Sequence, residues 1–189
     1  MNPELSIVVP TRDRAAYLQH SLLTCVDNRH TGIEVVVLDN ASTDNTEAVV
    51  RAIGDPRVRY LRSSSRLSMR DNFERGLEAA RGDVLCFIGD DDGVFPFTAD
   101  TVLDLFNRYP VEAVSAARAH YFWPDLRASR RDTALLPRRE GVSIRDSRTA
   151  VRTVLEDCDY YRLPCLYHGF VKRSVVEKAG VLVGQRSCA

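Results

Sequence analysis

What most constrains this chain is an alternation of short apolar runs with segments of helical period. Residues 5–9 are rich in β-branched side chains and reach Pro10, which cannot donate to a β-ladder and is expected to close the strand. Residues 15–26 then place Leu18, Leu22, Leu23 and Val26 at helical spacing. Residues 33–38 form a second apolar run, with Asp39 at its C-terminal end. Asp44 followed by Glu47 reads as a capping pair for a helix running through Ile53. Residues 58–61 make a short third strand. Ser68 and Asp71 can cap a helix with Phe73, Leu77 and Ala80 on one face, stopped near Gly82. Residues 84–88 are apolar throughout, the pattern of a strand covered on both faces. A helix over 98–109 ends before Pro110, and a fifth strand is expected over 112–117.

Strands alternating with helices of this length imply right-handed βαβ units and a mostly parallel sheet. The fold class is α/β. Beyond Arg118 the pattern weakens into the aromatic segment 120–123 and a long Arg-rich, turn-prone stretch over 124–140. A helix over 147–156, a strand over 166–171 and a helix start over 174–179 follow. No internal repeat or low-complexity tract is found.

Composition narrows the function classes. The 189 residues are 44% hydrophobic and 28% charged, values that suit a soluble globular core and exclude a fibrous or disordered chain. Twenty-six basic residues balance twenty-six acidic ones, so a nucleic-acid partner is not expected. Nine arginines lie between Arg118 and Arg152, against Asp125, Asp132, Glu140 and Asp146. Such a stretch is either a solvated loop or a surface for an anionic substrate or membrane face. Cys25, Cys86, Cys158, Cys165 and Cys188 are scattered and odd in number, which fits reduced thiols. Cys158, Cys165 and His168 lack the paired Cys-x-x-Cys and the fourth ligand of a zinc site. Residues 1–5 show neither the basic nor the apolar region of a signal peptide, and no apolar run approaches 18 residues. The expected location is cytoplasmic, with peripheral contact at the inner face of a membrane compatible with these features.

In an open parallel sheet, ligands bind outside the C-terminal ends of the strands. The first strand ends in Pro10-Thr11-Arg12-Asp13-Arg14, the second in Asp39-Asn40-Ala41-Ser42, and the fourth in Gly89-Asp90-Asp91-Asp92-Gly93. Three adjacent carboxylates repel one another and are best tolerated beside a cation. Mg²⁺ and similar ions take one or two carboxylates together with phosphate oxygens. The expected ligand is a metal-bound diphosphate, set against the plainer alternative of a solvated acidic turn. Asp39 could accept hydrogen bonds from a base or ribose, or could form an Asx-turn beside Asn40. Arg12 and Arg14 could clamp phosphate or approach a base, or be ordinary surface arginines.

The phosphate-binding Gly-x-x-x-x-Gly-Lys loop, the Gly-x-Gly-x-x-Gly dinucleotide turn and the Gly-x-Ser-x-Gly elbow are all missing, which argues against their enzyme classes. Residues 35–43 and 84–92 also look like motifs of haloacid-dehalogenase-type phosphatases. Ala41 stands where that family needs its second Asp, and no lysine lies between the motifs, because Lys172 and Lys178 are the only lysines.

Together these residues resemble family 2 glycosyltransferases with the GT-A fold. The likeness rests on Ser6-Ile-Val-Val-Pro-Thr-Arg12, Val37-Leu-Asp-Asn-Ala-Ser-Thr-Asp44, Arg70-Asp-Asn-Phe-Glu-Arg-Gly-Leu-Glu-Ala-Ala-Arg81 and Gly82-Asp-Val-Leu-Cys-Phe-Ile-Gly-Asp-Asp-Asp92 with Pro96 beyond. It covers about residues 5–118. The resemblance implies a Rossmann-like, mostly parallel sheet flanked by helices. Residues 1–118 would form the nucleotide-sugar half and 119–189 the start of an incomplete acceptor-side half. By the same resemblance Pro10, Thr11, Arg12 and Asp39 line a pocket for the base, expected to be uracil, with Arg14 beside the nucleotide. Arg70 and Asn72 would lie near the base or diphosphate.

Asp90, Asp91 and Asp92 match the family's Asp-x-Asp region, which holds ribose and a divalent Mn²⁺ or Mg²⁺. Gly89 stands where many members carry the first Asp. Asp90 and Asp92 are the expected metal ligands, with Asp91 beside the nucleotide. The implied reaction moves a sugar from a UDP-sugar or related donor to a hydroxyl of a glycan or lipid-linked acceptor, with inversion. The family's general base follows a strand–helix segment like residues 167–180, yet 181–189 hold no Asp or Glu. The base is therefore expected beyond Ala189, with Asp157 or Asp159 as alternatives. Trp123 and His168 are candidates for the acceptor side, His168 equally for a buried structural role. A chain without its base would be a nucleotide-sugar-binding remnant, the alternative function.

Overall fold

The side chains of the first two strands alternate between two separate apolar clusters, and this alternation builds a three-layer core. The structure is a computed structural model, and it describes residues 2–115, 141–157 and 169–179. Its elements are β1 (Leu5–Thr11), α1 (Ala15–Val26), β2 (Ile33–Asp39), α2 (Thr46–Ile53), β3 (Val58–Arg62), α3 (Met69–Ala79), β4 (Val84–Phe87), α4 (Thr98–Arg108), β5 (Ala113–Ser115), α5 (Ser147–Asp157), β6 (Gly169–Lys172) and α6 (Arg173–Lys178). The sheet order is β3-β2-β1-β4-β6-β5. Five strands run in one direction, while β6 is antiparallel to both β4 and β5.

Ile7, Val9, Val35, Val37, Val84 and Cys86 pack against Leu18 and Leu22 of α1, Val50 of α2 and Val102 of α4. Val8, Val36, Leu38, Leu85 and Phe87 pack on the other face with Leu77 of α3. Because strand side chains alternate with period two, the run Val35 to Leu38, apolar at every position, needs helices on both faces. That is why β2 is buried along its whole length. Phe73 and Phe87 stack with ring centroids 5.0 Å apart. Cys25 and Cys86 are buried free thiols, and burial raises the Cys25 thiol to about 12.

Most elements form where the sequence places them, with four differences. First, β1 does not close at Pro10 but continues to Thr11. Second, Asp44 does not pair with Glu47. Its Oδ1 accepts from Thr46 N–H at 3.0 Å and its Oδ2 from Ala15 N–H at 3.0 Å, so it caps the start of α1 as well as its own helix. Glu47 instead bonds Arg51 at 2.7 Å. Third, α3 ends at Ala79, three residues before Gly82. Its Ser68 cap forms as expected, with Oγ accepting from Asp71 N–H at 3.1 Å. Fourth, β4 ends at Phe87, one residue short of the expected 84–88, and β6 lies between β4 and β5.

One polar network lies inside the sheet where the apolar pattern passes over it. Ser6 donates to Glu34 at 2.6 Å, Arg59 donates to Glu34 at 2.6 Å, and Arg81 N–H donates to the same carboxylate at 2.5 Å. Gly82 N–H donates to Ser6 Oγ at 2.8 Å. The network ties the α3–β4 turn to β1 and β2, which satisfies backbone donors that the apolar layer could not. Burial works against ionisation of Glu34, but the hydrogen bonds from Ser6, Arg59 and Arg81 outweigh it and hold the carboxyl below its ordinary value of 4.5.

A carboxyl that binds its proton less readily when folded contributes stability above its unfolded value, and this is lost as pH falls through the folded one. Melting temperatures measured between pH 6 and pH 3 should therefore fall more steeply in the wild type than in Glu34→Gln. Parallel curves would show that Glu34 carries none of the acid sensitivity. Asp13, Asp44 and Asp55 are lowered in the same direction and remain in both proteins, so the comparison isolates one group.

No helix among the described residues is long and apolar enough to cross a membrane.

Candidate active site at the split between β1 and β4

The site begins with Pro10. Even-numbered residues of β1 bond towards β4, as Val84 N–H donates to Glu4 O at 2.9 Å and Ile88 N–H to Val8 O at 3.0 Å. The next donor on that side of β1 would be Pro10, which has none. Pairing with β4 stops at Val8↔Phe87, while pairing with β2 continues to Thr11↔Asp39. The strands thus part between β1 and β4. Here the chain's crossovers also change sides, with α1 and α2 on one face and α3 on the other. Such a reversal opens a crevice at the C-terminal edge of an open sheet.

Three loops meet at that crevice. Thr11 Oγ1 donates to Asp90 Oδ2 at 2.8 Å. The Arg14 guanidinium reaches Asp90 Oδ1 with Nε at 3.1 Å and Asp91 Oδ2 with NH2 at 2.5 Å. It also lies over the Tyr17 ring, 4.8 Å from the centroid. Asp90 is 7% exposed, and its burial raises the carboxyl above its ordinary value against the pull of Thr11 and Arg14. Asp92 turns back, with Oδ2 accepting from Gly89 N–H at 3.0 Å and Asp92 N–H donating to Gly89 O at 3.1 Å. A Cβ on Gly89 would lie 2.8 Å from Asp92 Oδ2 and 2.9 Å from Asp91 Oδ1. Both atoms are side-chain carboxylate oxygens, so a side chain at 89 would require Asp91 and Asp92 to rotate aside.

The β1–α1 and β2–α2 loops fasten to each other. Asp13 adopts φ 52° and Ala41 φ 57°, left-handed conformations that L residues adopt only when their surroundings hold them. Asp13 N–H donates to Ser42 Oγ at 3.0 Å, and Thr43 N–H donates to Asp13 Oδ1 at 2.6 Å. With Asp44 capping Ala15, the backbone that carries Arg12 and Arg14 is held at both ends.

Asp39 is 1% exposed. Its carboxylate accepts from the Tyr60 hydroxyl and from Ser42 N–H at 2.8 Å, with Arg62 Nε 3.8 Å away. It therefore organises the β2 loop much as an Asx-turn would, whatever else it meets. Burial and the bond to Asp39 push the Tyr60 hydroxyl up. Asn40 donates to Leu67 O at 3.0 Å and accepts from Leu67 N–H at 2.7 Å, which closes the β3–α3 loop over the same edge.

The structure brings Pro10, Thr11, Arg12, Arg14, Asp39, Asp90, Asp91 and Asp92 to one edge, and Arg70 stands apart. Arg70 lies on the exposed side of α3 with Nε 2.9 Å from Glu74. Arg12 Nε lies 3.4 Å from Asp13 Oδ2 without hydrogen-bond geometry. That nitrogen and Asn72 Oδ1 are buried without a hydrogen-bond partner among the described residues. Asn72 is 4% exposed, so it is not a surface residue of α3. Trp123, Asp159 and His168 lie outside the described residues, as does the side chain of Asp157, whose backbone ends α5. Tyr60 and Arg62 take part in the site without a signal in the sequence, while Asn40 belongs to the strand-end loop already read there. Only the register Val37↔Tyr60 and Asp39↔Arg62 places the first two beside the β2 terminus.

The acidic turn can be tested as a cation site by its donors. No group of three or more His, Cys, Asp or Glu side chains is gathered as metal ligands among the described residues. Mg²⁺ and Mn²⁺ sites that include phosphate need only one or two carboxylates. Asp92 uses a single oxygen on Gly89 N–H, and Asp90 and Asp91 already hold a cationic group. The donor set fits a hard divalent ion shared with phosphate oxygens.

The sequence profile described as "Glycosyl transferase family 2" matches residues 6–163. The chain belongs to this family. Relatives include a GalNAc(5)-diNAcBac-PP-undecaprenol beta-1,3-glucosyltransferase of Campylobacter jejuni, 29% identical over 108 residues that cover 56% of this chain and 35% of the relative. The succinoglycan biosynthesis protein ExoO of Rhizobium meliloti is 32% identical over 94 residues, 50% of this chain and 27% of that one. The chain spans about a third of the length of the curated relatives it matches.

Among solved structures, the mannosyltransferase PcManGT of Pyrobaculum calidifontis, in complex with GDP-Man and Mn²⁺, superposes with a TM-score of 0.64. That match covers 95% of this chain and 47% of that one at 18% identity. TarS of S. aureus with UDP-GlcNAc gives 0.56 over 60% of this chain and 33% of that one, at 21% identity. At these identities the likeness establishes the fold, a GT-A type α/β sheet flanked by helices. The family 2 match spans every site residue from Pro10 to Asp159, while His168 falls beyond it.

Proposed function

We propose that residues 1–118 form the nucleotide-sugar half of a glycosyltransferase, and that residues 119–189 begin its acceptor side. The carrying observation is the cluster at the parted strands, where Thr11 and Arg14 of the first loop hold Asp90 and Asp91 of the fourth. In this reading the donor is a nucleoside diphosphate sugar, with uracil the first base to test. The base lies between the 10–12 segment and the β2 loop, and the diphosphate faces the acidic turn. Arg12 Nε and Asn72 Oδ1, buried without partners among the described residues, supply a donor and an acceptor for that ligand. Leaving such atoms unpaired costs about 1–3 kcal/mol each, so their retention fits a binding role.

Asp92 and Asp90 would hold the divalent ion, Mn²⁺ or Mg²⁺. When bound, it supplies charge stabilisation for the departing diphosphate. The protein's own part is to fix the geometry in advance. Thr11 holds Asp90, Gly89 N–H orients Asp92, and Asp13 with Asp44 locks the loop that carries the arginines. Transfer to an acceptor hydroxyl with inversion further requires a general base on the acceptor side. We assign that base to no described side chain. The acceptor class is a glycan or lipid-linked glycan, with Trp123 and His168 as contacts to test.

Calorimetric titration of UDP should show binding that requires Mn²⁺ and weakens at least about tenfold in Asp92→Ala, the loss expected for one hard ligand of a shared cation. UDP binding that ignores both the metal and the substitution would overturn the assignment of the acidic turn. GDP in the same assay distinguishes a wrong base from a wrong site.

A further inference from the structure

We propose that Arg14 is an intramolecular counter-cation for Asp90 and Asp91, displaced by the divalent ion when a nucleoside diphosphate binds and then free to pair with the diphosphate. The proposal rests on the reading of residues 90–92 as the donor's cation site.

Geometry puts the guanidinium on Asp90, one of the two carboxylates assigned to the ion. It touches Asp90 Oδ1 at 3.1 Å and Asp91 Oδ2 at 2.5 Å, so it bridges two of the three adjacent carboxylates. Asp90 Oδ2 accepts from Thr11 and Oδ1 faces Arg14, so a divalent ion on Asp90 meets the guanidinium at contact distance, where the two cations repel. Asp90 is buried and needs a positive partner at all times, since an uncompensated buried carboxylate is costly. Arg14 meets that need from a half-buried position, with its side chain 42% exposed.

The backbone beneath it does not share that freedom. Asp13 is latched to Ser42 and Thr43, and Ala15 N–H to Asp44. Exchange therefore requires only rotation of the side chain away from Asp90, Asp91 and the Tyr17 ring. The expected consequence is coupling. Free metal must compete with a tethered cation, whereas metal arriving with a diphosphate offers Arg14 a new anionic partner, so each ligand strengthens the other.

The test is the dissociation constant of Mn²⁺, followed by the spin-resonance signal of the free ion, in wild type, Arg14→Gln and Arg14→Lys, with and without UDP or GDP. Without nucleotide, Arg14→Gln should bind Mn²⁺ about tenfold more tightly than wild type, the scale on which a nearby charge shifts occupancy of a carboxylate. The enhancement of Mn²⁺ binding by UDP should shrink in the same variant. Arg14→Lys keeps one charge without the two-pronged reach and should fall between, which also guards against a folding defect in the glutamine variant.

Equal or weaker Mn²⁺ binding by Arg14→Gln, with nucleotide enhancement intact, would overturn the exchange and leave the cation site standing. Failure of every variant to bind Mn²⁺, with or without either nucleotide, would overturn the cation site and the exchange together.

Discussion

Gly82→Ala is expected to destabilise the protein by about 3 kcal/mol, the upper end for forced overpacking, and to lower its melting temperature by about 10 °C. A Cβ at this position would lie 2.6 Å from Ser6 N, 2.8 Å from the carbonyl carbon of Leu5 and 2.8 Å from Ser6 Oγ. Two of those atoms are backbone of β1 in the middle of the sheet, so they cannot rotate aside as a side-chain terminus would. Moving the turn instead would break the bonds from Arg81 N–H and Gly82 N–H to the Ser6–Glu34 pair. Gly54→Ala serves as the contrast. Its φ of +66° strains an L residue, but the nearest atom is 4.0 Å away, so the cost is about 1 kcal/mol. Thermal unfolding of the two variants should rank them in that order. A Gly82→Ala protein that melts with the wild type would mean that the α3–β4 turn relaxes freely.

Asp39→Ala is expected to cost about 2–6 kcal/mol, at about 1–3 kcal/mol for each of the two donors left without an acceptor, and to abolish donor binding. The substitution leaves the Tyr60 hydroxyl and Ser42 N–H without their acceptor, and removes the carboxylate that Arg62 approaches. Ala41 would lose the restraint on its φ of 57°, since Ser42 N–H is what ties that turn to β2. Tyr60→Phe tests the same network from its other end. It leaves the Asp39 carboxylate bonded to Ser42 and should cost only about 1 kcal/mol. Urea unfolding of both variants, followed by UDP titration of whichever remains folded, separates the structural role from the binding role. If Asp39→Ala unfolds with the wild-type midpoint, the buried carboxylate does not organise the loop.

Much of the fold follows from local pattern. An apolar run over residues 33–38 can only be buried on both faces, and that requirement yields the layered α/β sheet of the structure. The strand-end position of Asp39 and of residues 89–93 is legible for the same reason, because strand ends are where the period breaks. Glu34 and Ser6 were hidden within runs read as apolar, since a buried charge acquires its partners from elsewhere in the chain. Pairing partners of Asp39 were hidden too. Tyr60 meets it through strand register, and register is a property of two strands together.

The sequence by itself determined the class, the succession of strands and helices along the chain and the residues offered at the sheet edge. Their repeating hydrophobicity and the proline and glycine breaks act over a few residues. Only the tertiary structure decided that β1 continues past Pro10 while β4 departs, that β6 inserts antiparallel beside β4, and that Arg14 closes on Asp90 and Asp91. These choices depend on contacts between residues separated by up to about ninety positions. They are settled by which backbone donors and buried charges find partners once the layers have packed.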